Sequence, residues 1–380
     1  MNKRPVFRTA LCDLLGVEYP VMLAGMGTAG GYTLTAAVSN AGGLGMLGAT
    51  FLWPDELRAW IRKTRELTDK PFGVDILLPA AIPKDFDLGK LNEYIPPEHT
   101  AFIQKMARDF GVEGARMKEW PISEEFGRSQ FQVVKEEKVP FFALGLGTPD
   151  WLIPEAHEAG IKIVSLVGNV RNAIKIKKMG ADIIIAQGHD AGGHTGRVGT
   201  FALVPQVVDA VAPTPVVAAG GIADGRGLVA ALALGAIGAW CGTVFLATHE
   251  CFVDFIELGM INKTTIDAYY RKLIESDEEA EQITRIYSGK TTRAFKNKLD
   301  EAWEKSGLKT LPMPLQSMLM ADLVQGMMEK GETEYFPMFA GQVSGLIKKV
   351  RSTQEVMDDI IGGAVKILGE EFPAGLTVKA

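Results

Sequence analysis

Residues 183–196 read Ile183-Ile184-Ile185-Ala186-Gln187-Gly188-His189-Asp190-Ala191-Gly192-Gly193-His194-Thr195-Gly196. A β-branched, apolar run of this length is a buried strand, and it empties into four glycines and two histidines. Glycine lets backbone approach a ligand and adopt positive φ. A histidine at such a junction can exchange a proton near neutral pH. The pattern recurs at Val216-Val217-Ala218-Ala219-Gly220-Gly221-Ile222-Ala223-Asp224-Gly225 and again at Ala239-Trp240-Cys241-Gly242-Thr243. Three strand-to-glycine junctions in succession describe one binding face and point to an enzyme.

Working outward, apolar runs of the same kind occur at Val21–Ala24, Leu44–Gly48, Phe72–Leu77, Phe141–Leu144 and Lys162–Leu166. With Ile183–Ala186, Val216–Ala219 and Ala239–Gly242 they make eight. Helical patterns separate them, among them Thr33–Asn40, Pro54–Leu67, Pro149–Ala159, Val170–Met179, Leu203–Val211 and Arg226–Leu234. Eight alternating units, with strands apolar on both faces, predict an α/β fold of the (β/α)8 TIM-barrel type. A doubly wound sheet carries similar units but usually fewer strands.

Two stretches break the rhythm. Residues 80–139 form a long crossover with helical patterns at Pro97–Phe110 and Glu124–Lys138. After the eighth strand the chain turns charged, as in Asp277-Glu278-Glu279-Ala280-Glu281. The expected organisation is a barrel over 1–251, a small, mainly helical cap over 252–330, and helices over 331–380 that return to the barrel. The apolar segment Met357–Leu368 suits either closure of the barrel or a contact in a homodimer.

The chain has 380 residues, 47% of them hydrophobic, and a formal net charge of −6. That charge, without a Lys/Arg-rich block, argues against nucleic acid as partner. Cys12, Cys241 and Cys251 are odd in number and lack CxxC spacing, which fits reduced thiols in a cytoplasmic protein. The basic start Met1–Pro5 is not followed by the apolar core of a secretory signal. Leu228–Leu246 is long enough to raise a membrane span, but Gly235, Gly238 and Gly242 divide it into a helix and a strand. No metal-ligand spacing, nucleophile elbow or P-loop is present.

Barrel enzymes place their chemistry where the strands end, and bind phosphate at the loops after strands seven and eight. Those loops here are Gly220-Gly221 and Gly242-Thr243. Their amides, the start of the helix near Asp224 and the Thr243 hydroxyl could cradle a phosphate monoester. Gly25-Met26-Gly27-Thr28-Ala29-Gly30 matches a dinucleotide fingerprint, but Leu44–Ala49 carries no acid for a ribose. The first loop instead suits a planar ligand. His194 is the candidate for proton chemistry, with His189 second; His99, His157 and His249 read as surface residues. Asp75, an acid inside the apolar run Phe72–Leu77, needs a partner or a role.

In order along the chain, Ala24-Gly25-Met26, Pro71–Asp75, Gln187 with Asp190–His194, Ala218–Ile222 and Gly242-Thr243 resemble the nitronate monooxygenase family. Weaker likeness resumes at Tyr287–Lys290 and Phe339–Gln342. The resemblance implies one FMN at the barrel mouth, with Ala24, Gly25, Met26 and Asp75 along the flavin and Gln187 at its polar edge. Gly192, Gly193, Ala219, Gly220, Gly221, Gly242 and Thr243 would surround its phosphate. His194 would remove or steer the acidic α-proton of a nitroalkane, and dioxygen would complete oxidation to a carbonyl compound and nitrite. The chain departs from the commonest pattern at Asp75, where many members carry Asn, and at Asp190, where many carry Glu. Similar barrels serve NAD(P)H-dependent reductases of quinones or enoyl thioesters, which is the alternative reading.

Overall fold

The computed structural model describes residues 5–78, 91–112, 123–145 and 147–377. Each apolar run forms a strand: β1 (Val21–Leu23), β2 (Gly45–Gly48), β3 (Phe72–Leu77), β4 (Phe141–Gly145), β5 (Lys162–Val167) and β6 (Ile183–Gln187). After a two-residue β7 (Gly193–His194) come β8 (Val216–Ala219) and β9 (Ala239–Cys241). Apart from β7 these pair in parallel in the order β1-β9-β8-β6-β5-β4-β3-β2. The ends meet: the Leu23 amide donates to Leu44 O and the Leu44 amide to Val21 O, each at 2.9 Å. The sheet is therefore a closed eight-stranded barrel.

Local chemistry sets the helices between strands. Pro54 opens the helix Pro54–Leu67, where its missing N–H costs nothing, and Glu56 accepts from the Trp53 amide. Asn169 caps Val170–Met179, which Gly180 ends at φ 98°. The stretch 228–246 divides between the helix Gly225–Ala233, β9 and the short helix Thr243–Leu246. Among the described residues no helix is long and apolar enough to cross a membrane.

Of the long crossover, residues 80–90 and 113–122 lie outside the described residues. The rest forms helices at Leu91–Tyr94, Pro97–Phe110 and Glu124–Glu136. The helix Pro97–Phe110 packs toward Leu315–Lys330, and a side chain on Gly326 would meet Val112 Cβ at 2.7 Å. This burial corrects the surface reading of His99, whose Nε2 lies 2.8 Å from Lys309 O. His157 pairs with Asp182 and His249 is exposed.

After β9 come helices at Val253–Glu257, Lys263–Glu275, Lys298–Ser306 and Leu315–Lys330. Between them lies a hairpin that the charge pattern concealed, β10 (Glu281–Thr284) and β11 (Thr292–Phe295). Its reason is long-range: β11 pairs antiparallel with β7, placing Thr292 opposite His194 and Arg293 opposite Gly193. At the C-terminal end, Ser352 and Glu355 form a capping box for Thr353–Lys366. That helix buries Val356, Met357, Ile360, Ile361 and Ala364 against the barrel helix Gly225–Ala233, where a side chain at Gly225 would strike the backbone of Gly363 and Ala364.

Candidate active site

Because all eight barrel strands run the same way, their C-terminal ends bring the predicted junctions to one rim. On one side stand Ala24, Gly25, Met26, Asp75 and Gly242. The Ala24 amide donates to Cys241 O at 2.8 Å. A Cβ on Gly242 would lie 3.3 Å from Ala24 Cβ and 3.6 Å from Met26 Sδ. Asp75 is buried against Gly25, with no cation to balance it among the described residues. Burial pushes its carboxyl up to about 7, the Gly25 amide opposing that shift.

The other side is the loop that follows β6. Gln187 Nε2 donates to His194 O at 2.5 Å, which folds the loop back on its own strand. His189 Nδ1 donates to Gly196 O at 2.8 Å, so this histidine ties the loop together and its ring is committed. Asp190 Oδ2 accepts from the Thr200 amide at 2.6 Å. Burial raises the Asp190 carboxyl, but the Thr200 hydroxyl and amide and the Arg293 charge outweigh it, leaving the group below the usual carboxylate range. Gly192 packs on the chain at Ala340-Gly341, where a Cβ would come within 2.6 Å of the Gly341 nitrogen.

His194 sits at the centre of this arrangement. Its Nε2 lies 2.7 Å from Ser288 Oγ. Burial, aided by the Lys290 ammonium, lowers its pKa to about 4, so the imidazole is neutral at physiological pH.

The loops after β8 and β9 complete the rim. Gly220 and Gly221 both have positive φ, 92° and 76°. At Gly220 a Cβ would stand 3.0 Å from the Ala191 nitrogen, so glycine is required for packing as well as conformation. The amides of Gly221, Ile222 and Thr243 donate to no protein acceptor among the described residues. Ile222 and Thr243 are nevertheless buried. Buried donors without acceptors are what an anionic group would satisfy, so the residues present fit a phosphate. One expected contributor is corrected. The helix beginning at Gly225 is not open to a ligand, because Asp224 accepts from its Arg226 and Gly227 amides. Thr243 Oγ1 accepts from the Gly341 amide at 2.9 Å, which leaves its hydroxyl proton to give.

Several contributors were not singled out in the sequence. Ser288 and Lys290 reach His194 from the turn before β11. Arg293, buried on β11, directs Nε and Nη2 to His189 O at 3.3 and 3.0 Å. Burial lowers its pKa and the Glu281 and Asp190 carboxylates oppose that. For Ser288 and Lys290 the signal was the resumption of family likeness at 287–290, which had no location until the fold supplied one; Arg293 carried no signal.

This geometry has a counterpart among known proteins. The family model for nitronate monooxygenase matches residues 8–363. The chain belongs to the nitronate monooxygenase family. It is therefore an oxidoreductase of a flavoprotein family. A protein of Staphylococcus saprophyticus named as a probable nitronate monooxygenase is 32% identical, covering 95% of this chain and 98% of its own. A hydroxy-methyl-oxo-octahydroindene carboxyl-CoA dehydrogenase of Rhodococcus jostii is 31% identical over 94% of this chain and 96% of its own. The crystal structure of nitroalkane oxidase from Streptomyces ansochromogenes superposes with a TM-score of 0.79 at 26% identity, covering 95% of this chain and 99% of that one. Family membership supports oxidation of nitronates or nitroalkanes as the general activity.

Proposed function

We propose that the protein binds FMN and oxidises alkyl nitronates with dioxygen to a carbonyl compound and nitrite. The observation that carries this reading is a neutral imidazole, His194, beside an ammonium on a rim of unpartnered backbone amides. FMN, when bound, supplies the acceptor for substrate electrons and their route to dioxygen.

The chain's own residues bind and orient. The amides of Gly221, Ile222 and Thr243 and the Thr243 hydroxyl would hold the phosphate, with Gly192, Gly193, Ala219, Gly220 and Gly242 giving it room. Ala24, Gly25 and Met26 would line the flavin. Gln187, its NH2 group engaged by His194 O, would offer Oε1 to the flavin's polar edge. Asp75 would keep its proton up to about neutral pH and act there as a donor. His194 would hold the nitronate in place at the flavin, and the Lys290 ammonium would favour its negative charge.

Nitrite release from propyl-2-nitronate tests the reading. It should be lost in His194→Ala while the protein stays yellow; full turnover in that variant would remove His194 from the reaction. A second reading, an NAD(P)H-dependent reductase of quinones or enoyl thioesters, draws support from the relative named as a CoA-ester dehydrogenase. Rapid anaerobic bleaching by NADH, with silence toward the nitronate, would move the assignment there.

A further inference from the structure

Ser288 is buried, and its Oγ serves two partners. The Lys290 amide donates to it at 3.3 Å, and His194 Nε2 lies 2.7 Å away. A serine hydroxyl has one proton to give and two lone pairs to receive with. The Lys290 amide takes one lone pair. Among the described residues the proton has one acceptor in reach, the Nε2 atom of His194. In the opposite arrangement, with Nε2–H donating to Oγ, a buried hydroxyl proton would have no partner, which native interiors avoid.

The ring has little freedom to escape this contact. The His194 carbonyl accepts from Gln187, and its backbone lies opposite Thr292 in the β7–β11 ladder. We infer that Ser288 is a positioning residue: it donates to Nε2 and thereby locks His194 as the Nδ1–H tautomer. The other ring nitrogen, Nδ1, has no protein partner among the described residues, so it is an N–H donor available to a bound molecule.

This deepens the proposed function and rests on it for the identity of that molecule. A neutral ring with its proton on Nδ1 and its Nε2 lone pair engaged has no lone pair ready for an α-proton. It can instead donate to an anionic oxygen, with the Lys290 ammonium adding to the attraction. That donor suits the anionic oxygen of the nitronate already proposed as substrate.

Histidine-labelled protein, in the flavin-loaded form, gives the test by nitrogen-15 NMR. Two-bond couplings to the ring protons distinguish the tautomers, and His194→Gln assigns the signal among the five histidines. The wild type should show a protonated Nδ1 and a bare Nε2 at neutral pH. Ser288→Ala should move the ring toward the Nε2–H form that imidazole favours in water, with flavin still bound. A protonated Nε2 in the wild type overturns the inference, as does an unchanged tautomer in Ser288→Ala. The wild-type spectrum decides even where the variant folds poorly. Turnover is read separately: the wild type should release nitrite from propyl-2-nitronate at least tenfold faster than from neutral 2-nitropropane. Equal rates would overturn the donor role, and no nitrite from either would sink the proposed function while leaving the tautomer result intact.

Discussion

Asp75 occupies the space that a side chain at residue 25 would need: a Cβ built on Gly25 would overlap both the carboxylate and the Cβ of Asp75. Glycine at the end of β1 is thus coupled to the acid on β3, across the rim. Gly25→Ala should destabilise the protein by about 1–3 kcal/mol, the usual cost of overpacking. Trimming the acid to Ala should not rescue it, because the Asp75 Cβ is itself in the way; Asp75→Gly should. Denaturant midpoints of the single and double variants measure this, and full rescue by Asp75→Ala would contradict the geometry.

The pH dependence of stability carries two opposing contributions from the rim. His194 has its pKa lowered from 6.5 to about 4, so the unfolded chain binds a proton that the folded one refuses. Its contribution is complete above about 6.5 and lost as pH falls toward 4. Asp75 has its pKa raised from 3.8 to about 7, so its contribution is present at acid pH and lost as pH rises through neutrality. Asp75→Asn should therefore gain stability relative to the wild type above about pH 7, and lose it more steeply on acidification. Urea midpoints from about pH 4 to 8 would show this; a parallel offset at every pH would not fit.

Gly221 has room for a side chain but the wrong backbone for one, with φ 76° and its nearest neighbour, Asp190 Cβ, at 3.5 Å. Alanine there keeps the amide yet opposes the left-handed conformation by about 1–2 kcal/mol. FMN should bind about tenfold more weakly, since about 1.4 kcal/mol corresponds to that factor. Gly16, at φ 70° with nothing within 4 Å, supplies the control. Gly16→Ala should cost similar stability and leave flavin affinity unchanged in a fluorescence titration.

Arg293 joins the cap strand β11 to the loop after β6 through its two bonds to His189 O. Arg293→Met leaves that carbonyl without its two guanidinium donors, and losing hydrogen bonds to a charged group costs about 1.5–3 kcal/mol. Arg293→Lys should recover only part, since one ammonium does not reproduce a planar fork. Thermal unfolding measures the loss, and limited proteolysis should cut between residues 187 and 199 first. Resistance of that loop in Arg293→Met would argue that Gly192 packing on Ala340-Gly341 suffices to hold it.

Ile183–Gln187, Val216–Ala219 and their six counterparts were legible because a strand buried on both faces must be apolar throughout, and that constraint is local. The glycine junctions were legible for the same reason: positive φ and close approach demand glycine in any context. The rest depended on distance. Ser288 stands 94 residues from His194, and Arg293 stands 104 from His189. Nothing in a serine or an arginine announces which loop it will meet. Charge alone made 277–296 read as helical surface, whereas pairing of β11 with β7 made part of it a strand. His99 was misread because a polar side chain on a helix looks exposed until a second helix covers it. By itself the sequence determined the barrel and the rim, since backbone sterics and alternation of buried faces act over a few residues. Tertiary structure alone decided the state of the rim. The neutrality of His194, the raised carboxyl of Asp75 and the closure of the Asp224 cap arise from burial and partners that only the folded chain assembles.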